Sequence, residues 1–288
     1  MKCLPLAATL LFVTATVAAA GPASGAFKAD KNGEITPKYA AGYTVRDSRH
    51  AHASRVELLL TDVQVDTSVL TAELDPHAAA INLDAINDRT YILLWVSPDG
   101  SVSMNATFSK TMTQYLDDTS SGLKATLTTN TPTHVEGRLF SPSPLKTMDG
   151  TAYSVDVKFA ADVAPVTAGT PLPAGGGDPG KAFSALLLAA TNKNWPAIKA
   201  ASGPAALKMF DNDYDTPAEK AKSTNDLLNA WIARKKMKIT GGQLHGDTAI
   251  LEVEGEMFEG QNSLSLVRMV KSGAAWQFEQ AKRVGMVP

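Results

Sequence analysis

The chain has 288 residues, of which 44% are hydrophobic, and its 27 Lys and Arg against 29 Asp and Glu give a formal net charge of −2. This near-neutral balance, without a basic block, argues against a nucleic acid as the partner. Cys3 is the only cysteine, which excludes a disulfide framework and any metal site built from several cysteines. A chain of this length exceeds what one hydrophobic core usually organises, so we expect two domains.

Residues 1–20 have the order of a secretory signal peptide. Lys2 supplies the positive charge, Leu4–Val17 is an apolar run, and three alanines end at Ala20. The run is shorter than the roughly 20 residues that a membrane-spanning helix needs. We therefore expect an exported protein, periplasmic or extracellular, with no stable membrane span, and cleavage after Ala20 would also remove Cys3.

Residues 21–160 show apolar side chains at every second position. The clearest instance is Tyr153, Val155, Val157 and Phe159, interleaved with polar residues. Such alternation indicates a strand, because it makes one face of the strand apolar. Asp99-Gly100 between two apolar runs is typical of a hairpin turn, and Pro76–Asp88 is compatible with a short helix or a loop. We expect an all-β antiparallel sandwich, with further strands at Tyr43–Arg49, Arg55–Val63, Ser68–Leu74, Thr90–Val96, Val102–Phe108, Leu123–Leu127 and Val135–Leu139.

Residues 161–180 are rich in Pro and Gly and predict a linker. In residues 181–288 helix signals come first. Asp178 is placed to cap a helix that begins at Pro179, and Thr216-Pro217-Ala218-Glu219 combines a capping box with Pro at the first helical position. We expect this last helix to end in the basic residues 234–236, and strands to follow at 237–241, 248–257, 263–271 and 275–282. Helices ahead of an antiparallel sheet predict an α+β domain.

This second half resembles the NTF2-like superfamily, in particular its small exported bacterial members with a lumazine-binding-like label. The residues that carry the resemblance are Phe183–Ala190, the helix through Trp231, Ala249–Val253 and Trp276-Gln277-Phe278. The resemblance implies an α+β cone of helices and a curved sheet. Its members include isomerases, dehydratases, polyketide cyclases and non-catalytic binding modules, so the fold does not settle the function. The first half resembles exported bacterial β-sandwich domains of unknown function.

Arg268 and Trp231 are the candidate ligand-binding residues. On its predicted strand Arg268 shares a face with Leu264, Leu266 and Val270. If this face lines the cone, the guanidinium needs either an anionic ligand or an acidic partner. Glu252 or Glu254 of the neighbouring strand would serve as that partner. Trp231, with Trp195 and Trp276, would line the same cavity or belong to the core.

Three other patterns resemble known binding motifs, but each lacks a residue that its motif requires. Asp211, Asp213 and Asp215 begin like a calcium loop, but Thr216 and Lys222 stand where Gly and Glu are needed. Gly175–Lys181 resembles a phosphate loop, but Ala182 replaces the required Ser or Thr. His50 and His52 are spaced to share a metal ion, but nothing in the sequence brings His77 or His134 near them as a third ligand. We expect His245, which lies in a tight turn, to be a polar hairpin residue. We expect no catalytic residue, no metal and no cofactor.

The leading hypothesis is therefore a non-enzymatic exported binding protein, whose partner is another protein or a small apolar ligand. One alternative is an NTF2-like isomerase, dehydratase or hydrolase that acts in the cone, which an interior filled by apolar side chains would count against. Another is an inhibitor or immunity protein for an envelope-acting toxin. A homodimer through the outer face of the C-terminal sheet, with Ile250, Val267 and Met269, is a further expectation.

Overall fold

The computed structural model describes residues 20–47, 51–164, 166, 168–211, 215–233, 235–258 and 260–287. The predicted signal peptide lies outside the described residues except for Ala20. The described chain is mostly β, with curled antiparallel sheets and a smaller helical content, as the alternating apolar pattern predicts.

Within the described residues, the strands that precede residue 165 join one curled sheet. Its path runs in the order β7-β6-β5-β4-β3-β1-β11-β9-β8, with β2 added on β1 and β10 added on β11. Neighbouring strands are antiparallel, except that the end of β11 also runs parallel to β3. The strands are β1 (Gly21–Ala29), β2 (Gly33–Ile35), β3 (Tyr39–Arg46), β4 (Ser54–Thr61), β5 (Tyr91–Val96), β6 (Val102–Phe108), β7 (Thr113–Asp118), β8 (Lys124–Asn130), β9 (His134–Phe140), β10 (Leu145–Lys146) and β11 (Ala152–Ala164).

The sheet curls around a core that both of its ends supply. Phe27 of β1 lies beside Tyr115 of β7 and Tyr153 of β11, with ring centroids 5.2 and 5.6 Å apart. Val155 and Val157 of β11 enter the same core, as their alternation predicts. The hairpin at Asp99-Gly100 is confirmed.

Strand β4 is buried on both faces, since Leu58, Leu59 and Leu60 are all inaccessible to solvent. One face joins the core inside the curled sheet, and the other is covered by residues 63–88. The expected strand Ser68–Leu74 is wrong: residues Ser68–Ala72 form a 3-10 helix. Asp66 accepts a hydrogen bond from the Ser68 amide at 2.8 Å, and such local bonds compete with strand pairing.

The short helix α1 (Pro76–Ile81) follows. Asp75 caps it by accepting a hydrogen bond from the Ala78 amide at 3.0 Å, and Pro76 occupies the first turn. The sequence left this segment open between a helix and a loop. In the structure it holds α1 over the outer face of β3, β4 and β5.

The C-terminal part combines helices with a second antiparallel sheet of order β12-β13-β14-β15-β16. Helices cover one face of this sheet. The elements are α2 (Gly177–Thr191), α3 (Trp195–Ala200), α4 (Pro204–Phe210), α5 (Pro217–Trp231), β12 (Thr170–Leu172), β13 (Lys235–His245), β14 (Thr248–Phe258), β15 (Gln261–Ser272) and β16 (Ala275–Val287).

The helix boundaries are partly as predicted. The capping box of Thr216 and Glu219 at the start of α5 is confirmed. Helix α2 begins at Gly177 with Gly176 as its N-cap, so Asp178 lies inside the first turn and is not the cap. Helix α5 ends at Trp231, and residues 235 and 236, expected at its end, belong to β13.

Much of the expected linker, residues 161–180, has regular structure. Strand β11 continues to Ala164, β12 pairs with β13, and α2 already occupies residues 177–180. The apolar Val163 and Ala164 extend the alternating pattern of β11 and are buried. Composition alone therefore misses the pairing of Thr170–Leu172, because the partner strand lies more than 60 residues away in sequence.

Candidate functional site

A cleft of about 1070 Å³ lies between the two parts of the chain, and we call it the central cleft. Its first wall comes from β3, β4, the 3-10 helix and α1, and its second wall comes from the face of the C-terminal sheet opposite the helices. Both walls combine charged and apolar side chains. Important residues of the first wall are Arg55, Glu57, Leu70, Glu73, Leu74 and His77; those of the second are Ile250, Glu252, Leu266, Arg268, Val270 and Lys282.

Glu57 is the fully buried charge of the first wall. It accepts a hydrogen bond from the Tyr43 hydroxyl at 2.9 Å and one from the Arg55 guanidinium at 3.1 Å. It also pairs with Nδ1 of His77 at 2.9 Å. The antiparallel register places Glu57 beside Tyr43 on one side and Trp95 on the other, so neighbouring strands satisfy the carboxylate that burial would otherwise make costly.

His77 brings α1 to this carboxylate. The hydrogen bond to Glu57 raises the pKa of His77, with Asp75 adding to the rise, while burial and Lys282 oppose it. The carboxylate orients the imidazole through Nδ1, and the half-exposed ring lines the cleft. A histidine held in this way can carry a proton or a positive charge at the cleft wall.

Tyr43 of β3 belongs to the same cluster, because its hydroxyl donates a hydrogen bond to Glu57. Burial, and next the neighbouring Glu57 charge, raise the pKa of its hydroxyl well above the ordinary value. The phenol therefore stays neutral and acts as a hydrogen-bond donor. Arg55 completes the cluster by lying over the Trp95 ring, 5.6 Å from its centroid.

Ion pairs cross between the two parts of the chain at the edges of the cleft. Arg46 of β3 contacts Glu252 of β14 at 2.5 Å. Lys282 of β16 pairs with Asp75, the cap of α1. His52 lies 3.2 Å from Glu254. These contacts hold the second sheet against β3 and α1, and so position the two walls.

Arg268 lies on the second wall on the same face as Leu266 and Val270, as the alternation of its strand predicts. The sequence predicts an ion pair between Arg268 and Glu252 or Glu254, but the carboxylates near its guanidinium are those of Glu73 and Glu279. The guanidinium lies 3.8 Å from Glu73 of the first wall and 3.8 Å from Glu279. In the sheet register Arg268 stands opposite Ile250.

Trp231 does not share this site with Arg268. It packs beneath the helices, stacked on Phe210 with centroids 6.2 Å apart. Phe278 stacks on Phe210 and on Phe183 in the same space. Trp195 and Trp276 pack around this core. The space between helices and sheet, where the resemblance implies a cone cavity, is thus filled by aromatic and aliphatic side chains.

The outer-face grouping of Ile250, Val267 and Met269 is corrected by the sheet register. Val267 stands opposite Leu251 and Met269 opposite Ala249, and these side chains are buried under the helices. Ile250 points to the other face and lines the central cleft. The three residues therefore do not form one surface.

Several residues of the calcium-loop, phosphate-loop and histidine patterns form ion pairs with neighbouring side chains. Asp211 pairs with Lys220, Lys181 pairs with Asp178 at 2.8 Å, and His134 lies 2.7 Å from Asp162. His50 and Asp213 lie outside the described residues. Across the part of the chain that the structure describes, no three His, Cys, Asp or Glu side chains are grouped to hold a metal ion.

Sequence reasoning missed Glu57 as a site residue and considered His77 only as a metal ligand. One signal was present: Arg55 and Glu57 stand in an otherwise apolar run that ends in three leucines. A charge within a doubly buried strand needs a partner. The identity of that partner depends on α1, which tertiary packing brings into place.

A comparison with protein-family models finds no match, and neither does a search of curated proteins. Among the described residues, no helix is long and apolar enough to cross a membrane.

Proposed function

We propose that this protein is a non-enzymatic binding protein that holds a small molecule with an apolar body in the central cleft. The observation that supports the proposal is the cleft itself. Its volume of about 1070 Å³ lies just above the roughly 300–1,000 Å³ typical of small-molecule sites. Leu70 and Leu74 on one wall face Ile250, Leu266 and Val270 on the other.

The placement of the cleft favours binding over catalysis in the cone. The resemblance to NTF2-like enzymes implies a substrate between the helices and the sheet, but Phe183, Phe210 and Phe278 fill that space. The central cleft lies on the opposite face of the sheet. Its buried carboxylate, Glu57, is fully engaged with the donors of its own wall.

We propose that the N-terminal part is a sandwich and the C-terminal part an NTF2-like cone, supported by the curled sheet around one core and by helices on one sheet face. We also propose that the protein is exported, supported by the charge and apolar pattern of residues 1–20.

The neutral probe N-phenyl-1-naphthylamine tests the proposed binding, because its fluorescence rises in an apolar site. We expect saturable binding to the wild-type protein at one site. Leu266→Trp should weaken it at least roughly tenfold, because the indole would occupy the cleft. Leu188→Trp is the matched control, since Leu188 is exposed on α2.

An absence of probe binding by the wild-type protein would overturn the proposal in favour of a protein partner. Equal binding by the Leu266→Trp and Leu188→Trp variants would also overturn it, because the probe would then occupy another surface. Thermal unfolding of both variants, followed by circular dichroism, shows that each is folded at the assay temperature.

A further inference from the structure

His77 gives the central cleft a titratable side chain that a ligand can reach. Its side chain lines the cleft and is 36% exposed. Nδ1 lies 2.9 Å from the buried carboxylate of Glu57, so this edge of the imidazole is turned toward the wall. Nε2 lies on the other edge of the ring, and among the described residues it has no hydrogen-bond partner. A ligand can therefore bond to Nε2 without displacing a contact of the protein.

The contacts of Glu57 determine what Nε2 offers to a ligand. A carboxylate only accepts hydrogen bonds, so Nδ1 of His77 donates to Glu57, as the Tyr43 hydroxyl does. Nε2 is then an acceptor while the ring is neutral and a donor once the ring is protonated. The hydrogen bond to Glu57 raises the pKa of His77, and burial is the main opposing effect. Asp75 adds to this rise and Lys282 opposes it, so the ring keeps its second N–H donor to a higher pH than a free histidine does.

Ion pairs already engage charged side chains on both walls of the cleft. Arg46 of β3 contacts Glu252 of β14 at 2.5 Å, and Lys282 of β16 pairs with Asp75 at the start of α1. An ionic group on the ligand would compete with these contacts, which hold the two walls together. The donor at Nε2 of His77 needs only an acceptor, and an uncharged carbonyl oxygen supplies one without such competition.

We propose that the ligand of the central cleft is an uncharged small molecule whose carbonyl oxygen accepts a hydrogen bond from Nε2 of His77. This inference rests on the proposed binding function and specifies both the class of ligand and the residue that recognises it. Leu70 and Leu74 share the wall with His77, and Leu266 lies on the facing wall, so the apolar body of the ligand packs beside the carbonyl group. A protonated imidazole is a charged donor, and hydrogen bonds that involve a charged group are stronger than those between neutral groups.

A matched pair of uncharged probes tests the ligand class. The first is 6-propionyl-2-(dimethylamino)naphthalene, and the second, 6-propyl-2-(dimethylamino)naphthalene, has a methylene group in place of the carbonyl. Displacement of N-phenyl-1-naphthylamine measures the affinity of each probe. At about pH 6 we expect the wild-type protein to bind the carbonyl probe about tenfold more tightly, the lower end of the range for a hydrogen bond to a charged group. At about pH 8.5 this preference should fall below about threefold, because the neutral ring presents an acceptor to the carbonyl oxygen.

Histidine variants identify the group that titrates. His77→Gln removes the titration and keeps an amide N–H donor, so its preference for the carbonyl probe should be the same at both pH values. Arg55, Glu73 and His245 line the cleft as well, and histidine is the side chain whose ordinary pKa lies between the two pH values. His245→Gln should therefore keep the wild-type pH dependence. So should His134→Gln, since His134 pairs with a carboxylate outside the cleft and has the same 36% exposure as His77.

The outcomes separate the two proposals. If the wild-type protein binds both probes equally at the lower pH, or keeps its full preference at the higher pH, the carbonyl class is overturned and binding in the cleft stands. A His77→Gln variant that is folded by circular dichroism and keeps the wild-type pH dependence also overturns it. If N-phenyl-1-naphthylamine itself does not bind, the proposed function fails together with this inference.

Discussion

Replacing Glu57 with Gln perturbs a fully buried charge that has three side-chain partners. The variant Glu57→Gln keeps the shape of the side chain but removes its charge, and it turns an amide NH₂ group toward a hydrogen-bond donor. Glu57 accepts from Tyr43 at 2.9 Å and from Arg55 at 3.1 Å, and pairs with His77 at 2.9 Å. The carbonyl oxygen of Gln can keep either the Arg55 contact, which is made to Oε1, or the Tyr43 and His77 contacts, which are both made to Oε2.

The magnitude follows from the burial of the carboxylate. A hydrogen bond to a charged group contributes about 1.5–3 kcal/mol, and breaking a buried ion pair costs about 3–5 kcal/mol. Because Gln keeps part of the network, we expect Glu57→Gln to lower the free energy of unfolding by about 2–4 kcal/mol. Arg55, with only 16% of its side chain exposed, loses the nearer of two buried counter-charges, since Asp47 remains 3.9 Å away.

The loss should depend on pH in a definite direction. Glu57 raises the pKa of His77 in the folded protein, so the contact stabilises the fold fully below the ordinary histidine pKa of about 6.5. This contribution is lost as the pH rises through the raised pKa of the folded state. The stability difference between wild type and Glu57→Gln should therefore be larger at about pH 6 than at about pH 8.5.

Urea unfolding of both proteins at the two pH values measures this difference, with an unchanged m-value showing that the same surface unfolds. The control Asp156→Asn removes an exposed carboxylate that pairs with Arg138. We expect the control to show a small difference that does not vary between the two pH values. A Glu57→Gln loss as small as that of the control, or one that grows with pH, would show that Glu57 does not stabilise the fold through its charge and His77.

Two further predictions concern the C-terminal part. Thr216→Ala should lower the free energy of unfolding by about 1 kcal/mol, because it breaks the capping box with Glu219, while Thr216→Ser should retain the cap; thermal unfolding compares them. Phe278→Ala should cost about 3–5 kcal/mol, since Phe278 is fully buried against Phe183 and Phe210. A loss below that of Thr216→Ala in urea unfolding would contradict this packing.

Much of the secondary structure could be predicted because its signals are local. The alternation from Tyr153 to Phe159, the Asp99-Gly100 turn and the Thr216–Glu219 capping box each depend on residues close in sequence. Prediction failed where distant partners decide the conformation. Thr170–Leu172 is a strand because β13, far away in the sequence, lies beside it. At Ser68–Ala72 the apolar residues suggest a strand, but the local hydrogen bond between Asp66 and the Ser68 amide accompanies a 3-10 helix instead.

The candidate site shows the same division. The sequence marked Arg268 as a charge on an apolar face that needs a partner, and the structure places it at the cleft between Glu73 and Glu279. The sequence does not mark Glu57 and His77 as a pair, because the two residues meet only when α1 packs over β4. Trp231 was grouped with Arg268 by residue type, yet the two lie on opposite faces of the C-terminal sheet.

Local sequence patterns are enough to predict antiparallel β structure, helices ahead of the last strands, and the capping box of Thr216 and Glu219 at the start of α5. These features follow from periodicity and short-range hydrogen bonds. That the C-terminal sheet lies opposite α1 and β4 across a cleft is visible only in the folded chain. The partners of a buried charge come from elements far apart in the chain, and local patterns carry no information about which of these elements meet.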